Sequence, residues 1–226
     1  MIKTAILVDG GFYRKRASTL WGKKTPYERA SELYNYCKAH INDKQEAERQ
    51  NDTRFLYRVF YYDCPPIEKT VYHPFLQKNV NLKLNETFNW TNEFFAELKK
   101  TRKFALRLGE LSDANVGYVL SKDKIKDICL NKTSIEELKE TDFRLNFEQK
   151  GVDMRIGLDI ASLSYKKQVD QIILISGDSD FVPAAKLARR EGIDFILDPL
   201  WFKVKGSLFE HIDGLKSQWR PRNNTN

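Results

Sequence analysis

QIILISGDSDFVPAAKLARREGIDFIL, residues 171–197, holds a strand, a helix and a second strand in direct succession. The apolar run 171–175 has the continuous character of a strand buried on both faces. Pro183 suits the first turn of a helix over 181–191, and Gly192 is its natural stop. Residues 193–197 are β-rich again. Just upstream, residues 154–167 place Ile156, Ile160 and Leu163 on one helical stripe. Strands alternating with helices of this length predict an α/β fold: a three-layer α/β/α sandwich around a mainly parallel sheet.

Working outward, Ile2–Val8 is a second buried-strand run, broken by Asp9-Gly10-Gly11, and a loop carrying Arg14, Lys15 and Arg16 is expected after it. Helical spacing recurs over 27–40, with Thr25-Pro26 as the start signal. Aromatic residues 54–62 predict another strand, ended by Asp63-Cys64-Pro65-Pro66. Residues 67–90 are polar with isolated aromatics and read as an excursion. Beyond them a helix is expected over 92–102, short strands over 104–108 and 116–120, and a brief helix after the capping-box pattern Thr133-Ser134-Ile135-Glu136. The chain is thus expected to be one domain over 1–226, with an excursion at about 67–148 and a loose tail over 220–226. The excursion is open to two roles, covering the site or forming a homodimer.

With 38 basic and 31 acidic residues, the formal net charge is +7, which favours a polyanionic partner such as nucleic acid. Cys37, Cys64 and Cys129 form no C-x-x-C pair, and His40, His73 and His211 are scattered, which argues against a disulfide framework and a zinc centre. The opening run is too short for a signal peptide. No stretch nears the roughly 20 apolar residues of a membrane helix. A cytoplasmic protein with no membrane partner is expected.

In an open parallel sheet, ligands bind beyond the carboxyl ends of the strands. Asp9 follows the first strand, Asp178 and Asp180 follow the strand at 171–175, and Asp153 opens the helix before it. Carboxylates that converge stay ionised only beside a cation. Hard divalent ions, Mg²⁺ or Mn²⁺, prefer such oxygen ligands, and they polarise a phosphate and lower the pKa of an attacking water. Taken singly, each acid has a plainer role: Asp178 or Asp180 as a helix cap, Asp9 as a turn former, Asp153 as a partner of the helix dipole. Asp159 lies six residues after Asp153, about 120° round a helix, and is expected at the periphery.

ILVDGGFYRKR (6–16), FYYDCPP (60–66), QKGVDMRIGLDIA (149–161) and ISGDSDFVPAAKLARREG (175–192) together resemble the NYN domain proteins, a branch of the PIN-like nuclease superfamily that includes LabA-like proteins. EHIDGLKS (210–217) is also similar to that branch. The resemblance implies a PIN-like fold and a metal-dependent ribonuclease site in which Asp9, Asp153, Asp178 and Asp180 form the acidic cluster, the first three holding Mg²⁺ or Mn²⁺. The sequence departs from the family's DG-x-N pattern, with Phe12 where the asparagine stands.

Ser176 and Ser179 are expected in support of that cluster. Arg14, Lys15, Arg16, Lys186, Arg189 and Arg190 are candidates for flanking RNA phosphates. The alternative is a non-catalytic RNA-binding module with a vestigial site. A HAD-type phosphatase would need a second acid two residues after Asp9, where Gly11 stands.

Overall fold

The computed structural model describes residues 1–42, 53–112 and 116–219. The expected loose tail lies outside these residues. Six strands form one parallel sheet: β1 (Ile2–Asp9), β2 (Arg54–Asp63), β5 (Phe104–Leu108), β10 (Gln171–Ile175), β11 (Asp194–Asp198) and β12 (Gly214–Leu215). Their spatial order is β12-β11-β10-β1-β2-β5. The chain winds outward from β1 in one direction, then returns to lay β10 on its other side. The boundary between β1 and β10 is therefore the topological switch point, where a crevice opens at the carboxyl ends of the strands.

The strands divide their side chains between two cores. Ala5 and Leu7, Phe60 and Tyr62, Ile172 and Leu174 enter one. Ile6 and Val8, Val59 and Tyr61, Ile173 and Ile175 enter the other. This period of two, with both faces apolar, is the reason the strands read as unbroken hydrophobic runs. The first core is closed by helices α5 (Val152–Tyr165) and α6 (Val182–Arg190), the second by α1 (Gly10–Trp21), α2 (Pro26–Ile41) and α3 (Glu86–Lys100). The arrangement is the expected α/β/α sandwich, with a PIN-like layout.

Several elements differ from the sequence reading. The segment with Arg14, Lys15 and Arg16 is not a loop but α1, which starts on the residue after β1 because Asp9 Oδ1 accepts the Phe12 N–H at 3.1 Å. Gly10 permits that abrupt turn: a Cβ there would lie 2.6 Å from the Tyr62 carbonyl oxygen and from the Tyr61 phenol. Gly10→Ala is expected to destabilise the fold by about 1–3 kcal/mol, the usual cost of overpacking, read as a lower urea midpoint with an unchanged m-value. Helix α3 begins at Glu86, because Asn85 caps it by accepting the Thr87 N–H at 3.2 Å.

Within 67–148, α3 and β5 belong to the main sandwich. A separate patch is made by the hairpin β3 (Thr70–His73) and β4 (Lys78–Asn81) and by the pair β7 (Gly117–Leu120) and β8 (Phe143–Asn146). His73 stacks on Tyr118 at 4.1 Å between centroids, with Phe75 and Phe143 beside them. Strand β6 (Glu110–Leu111) pairs with β9 (Gln149–Lys150) and returns the chain to α5. Helix α4 (Lys122–Cys129), capped by Ser121, was not foreseen. The capping-box region is only a 3-10 turn over Ile135–Glu137, shifted by one residue so that Glu137 accepts the Ser134 N–H. A last short helix, α7 (Gly206–Phe209), precedes β12.

Candidate active site

The switch point is built from acids. Asp9 ends β1 and caps α1. Its second oxygen accepts from Ser176 Oγ at 3.1 Å, and Ser176, fully buried just past β10, also accepts the Asp178 N–H at 3.3 Å. One hydroxyl therefore ties the two strand ends on either side of the crevice. Burial, opposed by the Phe12 and Ser176 hydrogen bonds and reinforced by the charges of Asp153 and Asp63, pushes the Asp9 carboxyl up to about 6.

Asp153 sits in the first turn of α5, which starts at Val152 after Gly151 in a left-handed conformation (φ 78°). Its pKa is raised by partial desolvation and then by the charges of Asp178 and Asp180. The three segments thus place Asp153 within electrostatic range of Asp9 on one side and of Asp178 and Asp180 on the other. The carboxylates of Asp153 and Asp180 have neither a hydrogen-bond partner nor an ion pair among the described residues. In a chain with 38 basic residues, leaving these acids unpaired is a feature of the site.

Of the two candidate caps in GDSD, Asp178 takes that role. Asp178 Oδ1 accepts the Asp180 N–H at 3.0 Å and caps the 3-10 turn Ser179–Phe181 that leads into α6. Asp180 caps nothing: no side chain caps the start of α6. Ser179 Oγ accepts from Lys205 Nζ at 3.2 Å, which brings a cation to the rim that the sequence did not suggest.

Asp159 is directed away from the cluster. It accepts from Tyr62 Oη at 2.8 Å and from Arg107 Nε at 3.1 Å on strands β2 and β5, as the 120° offset required. Phe12, at the position of the family's asparagine, packs against Gly177 and meets Phe202 edge-on at 6.3 Å. A Cβ on Gly177 would lie 2.7 Å from the Phe12 ring, so that glycine is what lets the aromatic approach the acidic loop.

Among the basic candidates, Arg14 is engaged inside the fold by the buried Asp63 at 3.0 Å. Arg16 donates to the Leu200 carbonyl at 2.9 Å and lies over the Phe202 ring. Arg189 pairs with Asp213 at 2.8 Å. Lys15, Lys186 and Arg190 remain exposed. Asp63 itself was missed. It ends β2 as Asp9 ends β1, and FYYD carried the same signal as ILVD. Burial raises its pKa despite Arg14 and the Cys64 N–H.

Carboxylate oxygens without thiolate or imidazole suit a hard cation, and a raised Asp9 beside further acids is a charge deficit that a cation would relieve. Among the described residues, no three His, Cys, Asp or Glu side chains stand close enough to grip one ion together. A hard divalent cation there would draw on one or two carboxylates at a time and take its other ligands from water and substrate phosphate.

A doubly wound parallel sheet with carboxylates massed at its switch point defines a sandwich of the PIN-like kind. The NYN domain family matches residues 79–199, more than half of the chain, and the chain belongs to that family, within the PIN-like nuclease superfamily. The matched segment holds Asp153, Asp178 and Asp180 and begins after Asp9. No curated protein matches the chain. Among solved structures, a protein of unknown function from Vibrio parahaemolyticus is similar at 15% identity, over 95% of this chain and 91% of that one, with a TM-score of 0.46. No helix among the described residues is long and apolar enough to cross a membrane.

Proposed function

We propose that the protein is a metal-dependent ribonuclease that cuts RNA phosphodiesters internally, with Mg²⁺ or Mn²⁺ drawn to the group of Asp9, Asp153 and Asp178, held by one or two of these carboxylates at a time and otherwise by water and substrate phosphate. The observation that carries this reading is the set of like-charged carboxylates at the switch point, two of them unpaired, with Asp9 pushed up to about 6. A divalent ion bound there would supply Lewis-acid polarisation of the phosphoryl group and a water of lowered pKa.

The chain's own residues position this chemistry. Ser176 fixes the Asp9 carboxylate and the loop of Asp178 in one register across the crevice. Asp178 keeps its second oxygen free among the described residues, and Asp180 adds negative charge at the rim. Lys205, held on Ser179, offers a cation to a phosphate oxygen. KGVD and EHIDGLKS support a place in the LabA-like branch. Labelled single-stranded RNA with Mn²⁺ tests the reading. Cleavage is expected from the wild type, with a loss of at least about 10²-fold for Asp178→Asn, the scale of removing one electrostatic contact to the transition state. Cleavage of equal rate in Asp178→Asn would sink it.

A second reading, a non-catalytic RNA-binding module, is favoured by one observation: no three potential ligands gather around a single point among the described residues. Binding of RNA that responds to Mn²⁺ without any cleavage is its signature.

A further inference from the structure

A cavity of about 470 Å³ opens between α1 and the start of α3. Five cations line it, Arg14, Lys15, Lys23, Lys24 and Arg29, against a single acid, Glu86. Three of the five are already paired within the fold: Arg14 with Asp63, while Lys24 and Arg29 share the buried Glu32. Lys15 and Lys23 are exposed and have no ion-pair partner among the described residues. The groove therefore carries an uncompensated charge of two, counting five cations against Asp63, Glu32 and Glu86.

Its position links it to the acids. Arg14 and Lys15 lie five and six residues along α1 from Asp9, about 7.5 and 9 Å at the helical rise. Lys23 follows the helix end, about 18 Å from the acidic crevice for a helix of this length. Arg14 also lines a second cavity, of about 270 Å³, which reaches Cys64 and Gln149 and so runs back toward the turn that opens α5. The Arg14 Nε–H is buried without an acceptor. Trp90, held by its indole N–H on the Lys24 carbonyl at 3.0 Å and stacked on Phe94, makes one rigid wall.

We propose that this groove is the track for the RNA backbone on one side of the cut, holding phosphates of a single strand with Lys15 and Lys23. The inference rests on the ribonuclease reading for the identity of the polymer. Phosphodiester groups match the unneutralised charge without any demand on sequence, and a groove between two helices suits the backbone of one strand.

The test is fluorescence anisotropy with a short labelled single-stranded RNA in EDTA, titrated across a range of salt. Lys15→Gln with Lys23→Gln is expected to weaken binding at least tenfold at low salt. It is also expected to make the slope of log K against log salt shallower by about 1.4, twice the value of about 0.7 for each phosphate neutralised on a single strand. The charge-matched pair Lys132→Gln with Lys166→Gln, on other surfaces, is expected to leave the slope near that of the wild type. A slope in Lys15→Gln/Lys23→Gln equal to that of the wild type overturns the track. So does a wild type that binds no single-stranded RNA, or a duplex that shows the same loss. Cleavage of the same RNA with Mn²⁺ is scored separately. A cleaving enzyme whose binding ignores Lys15 and Lys23 loses the track and keeps the ribonuclease reading, and the reverse result loses only catalysis.

Discussion

Asp9→Asn is expected to melt at a higher temperature than the wild type at pH 7.5 and, on the proposed ribonuclease reading, to lose RNA cleavage. The carboxyl of Asp9 titrates near 3.8 in an unfolded chain and is pushed up to about 6 in the fold. The folded state therefore holds this proton more tightly than the unfolded state. Below the lower value both states are protonated and the group contributes nothing. As pH rises from there through about 6, ionisation is progressively harder in the fold, and above it the full penalty remains.

A displacement of this size corresponds to about 3 kcal/mol at most. Asn keeps an acceptor for the Phe12 N–H and carries no charge. The gain is expected to be several degrees in Tm at pH 7.5, to shrink as pH falls through about 6, and to vanish near pH 4. Scanning calorimetry of both proteins over that range measures it. A destabilised Asp9→Asn at pH 7.5 would show that the carboxylate is a structural requirement instead.

The second large effect lies on the other side of the crevice. Asp198 ends β11 with no exposed surface, and four groups converge on it: Tyr36 Oη at 2.6 Å, Ser217 Oγ at 2.6 Å, the Leu200 N–H at 2.8 Å and His40 Nε2 at 2.8 Å. Asp198→Ala removes the shared acceptor and leaves buried donors unsatisfied. The expected loss is on the order of 3–5 kcal/mol, the scale of removing one partner from a buried, hydrogen-bonded charged set. That corresponds to a fall in Tm of roughly 6–20 °C at 2–4 °C per kcal/mol for a chain of this size.

The damage should spread, because Leu200 and Trp201 both hold positive φ (47° and 60°) in the turn that Asp198 and Ser217 pin. Released from them, two residues with side chains leave an unfavourable region, and the segment from there to Lys205 loosens. Asp198→Asn keeps one acceptor oxygen and is expected to lose less. Thermal melts of the two variants decide whether the acceptor or only the packing matters.

The sheet was legible because strands buried on both faces must be apolar throughout, so ILV at β1 and IILI at β10 announce themselves. The helix α1 was not, since Gly10-Gly11 reads as a break until Asp9 is seen to cap the next residue's turn. The hairpin at 70–81 lacks the alternation of a half-buried strand and owes its form to packing of His73 on Tyr118, a contact across 45 residues. The four acids were readable from their places at strand and helix ends. The fate of the basic residues was not: charge alone cannot reveal that Arg14 faces Asp63 or that Arg189 faces Asp213. EHIDGLKS looked like a mere signature. It supplies β12, the Asp213 that holds Arg189, and the Ser217 that closes on Asp198.

The adjacency of β1 and β10 also sets an order of events in time. Ser176 lies 167 residues after Asp9, to which it is bonded. At 5–20 residues per second, the ribosome makes these two walls about 8–33 s apart. Throughout that interval the emerging chain displays Asp9 with no neighbour across the crevice and at most half of the acid cluster in existence. On the proposed ribonuclease reading, the site is therefore incomplete until residue 180 has been made.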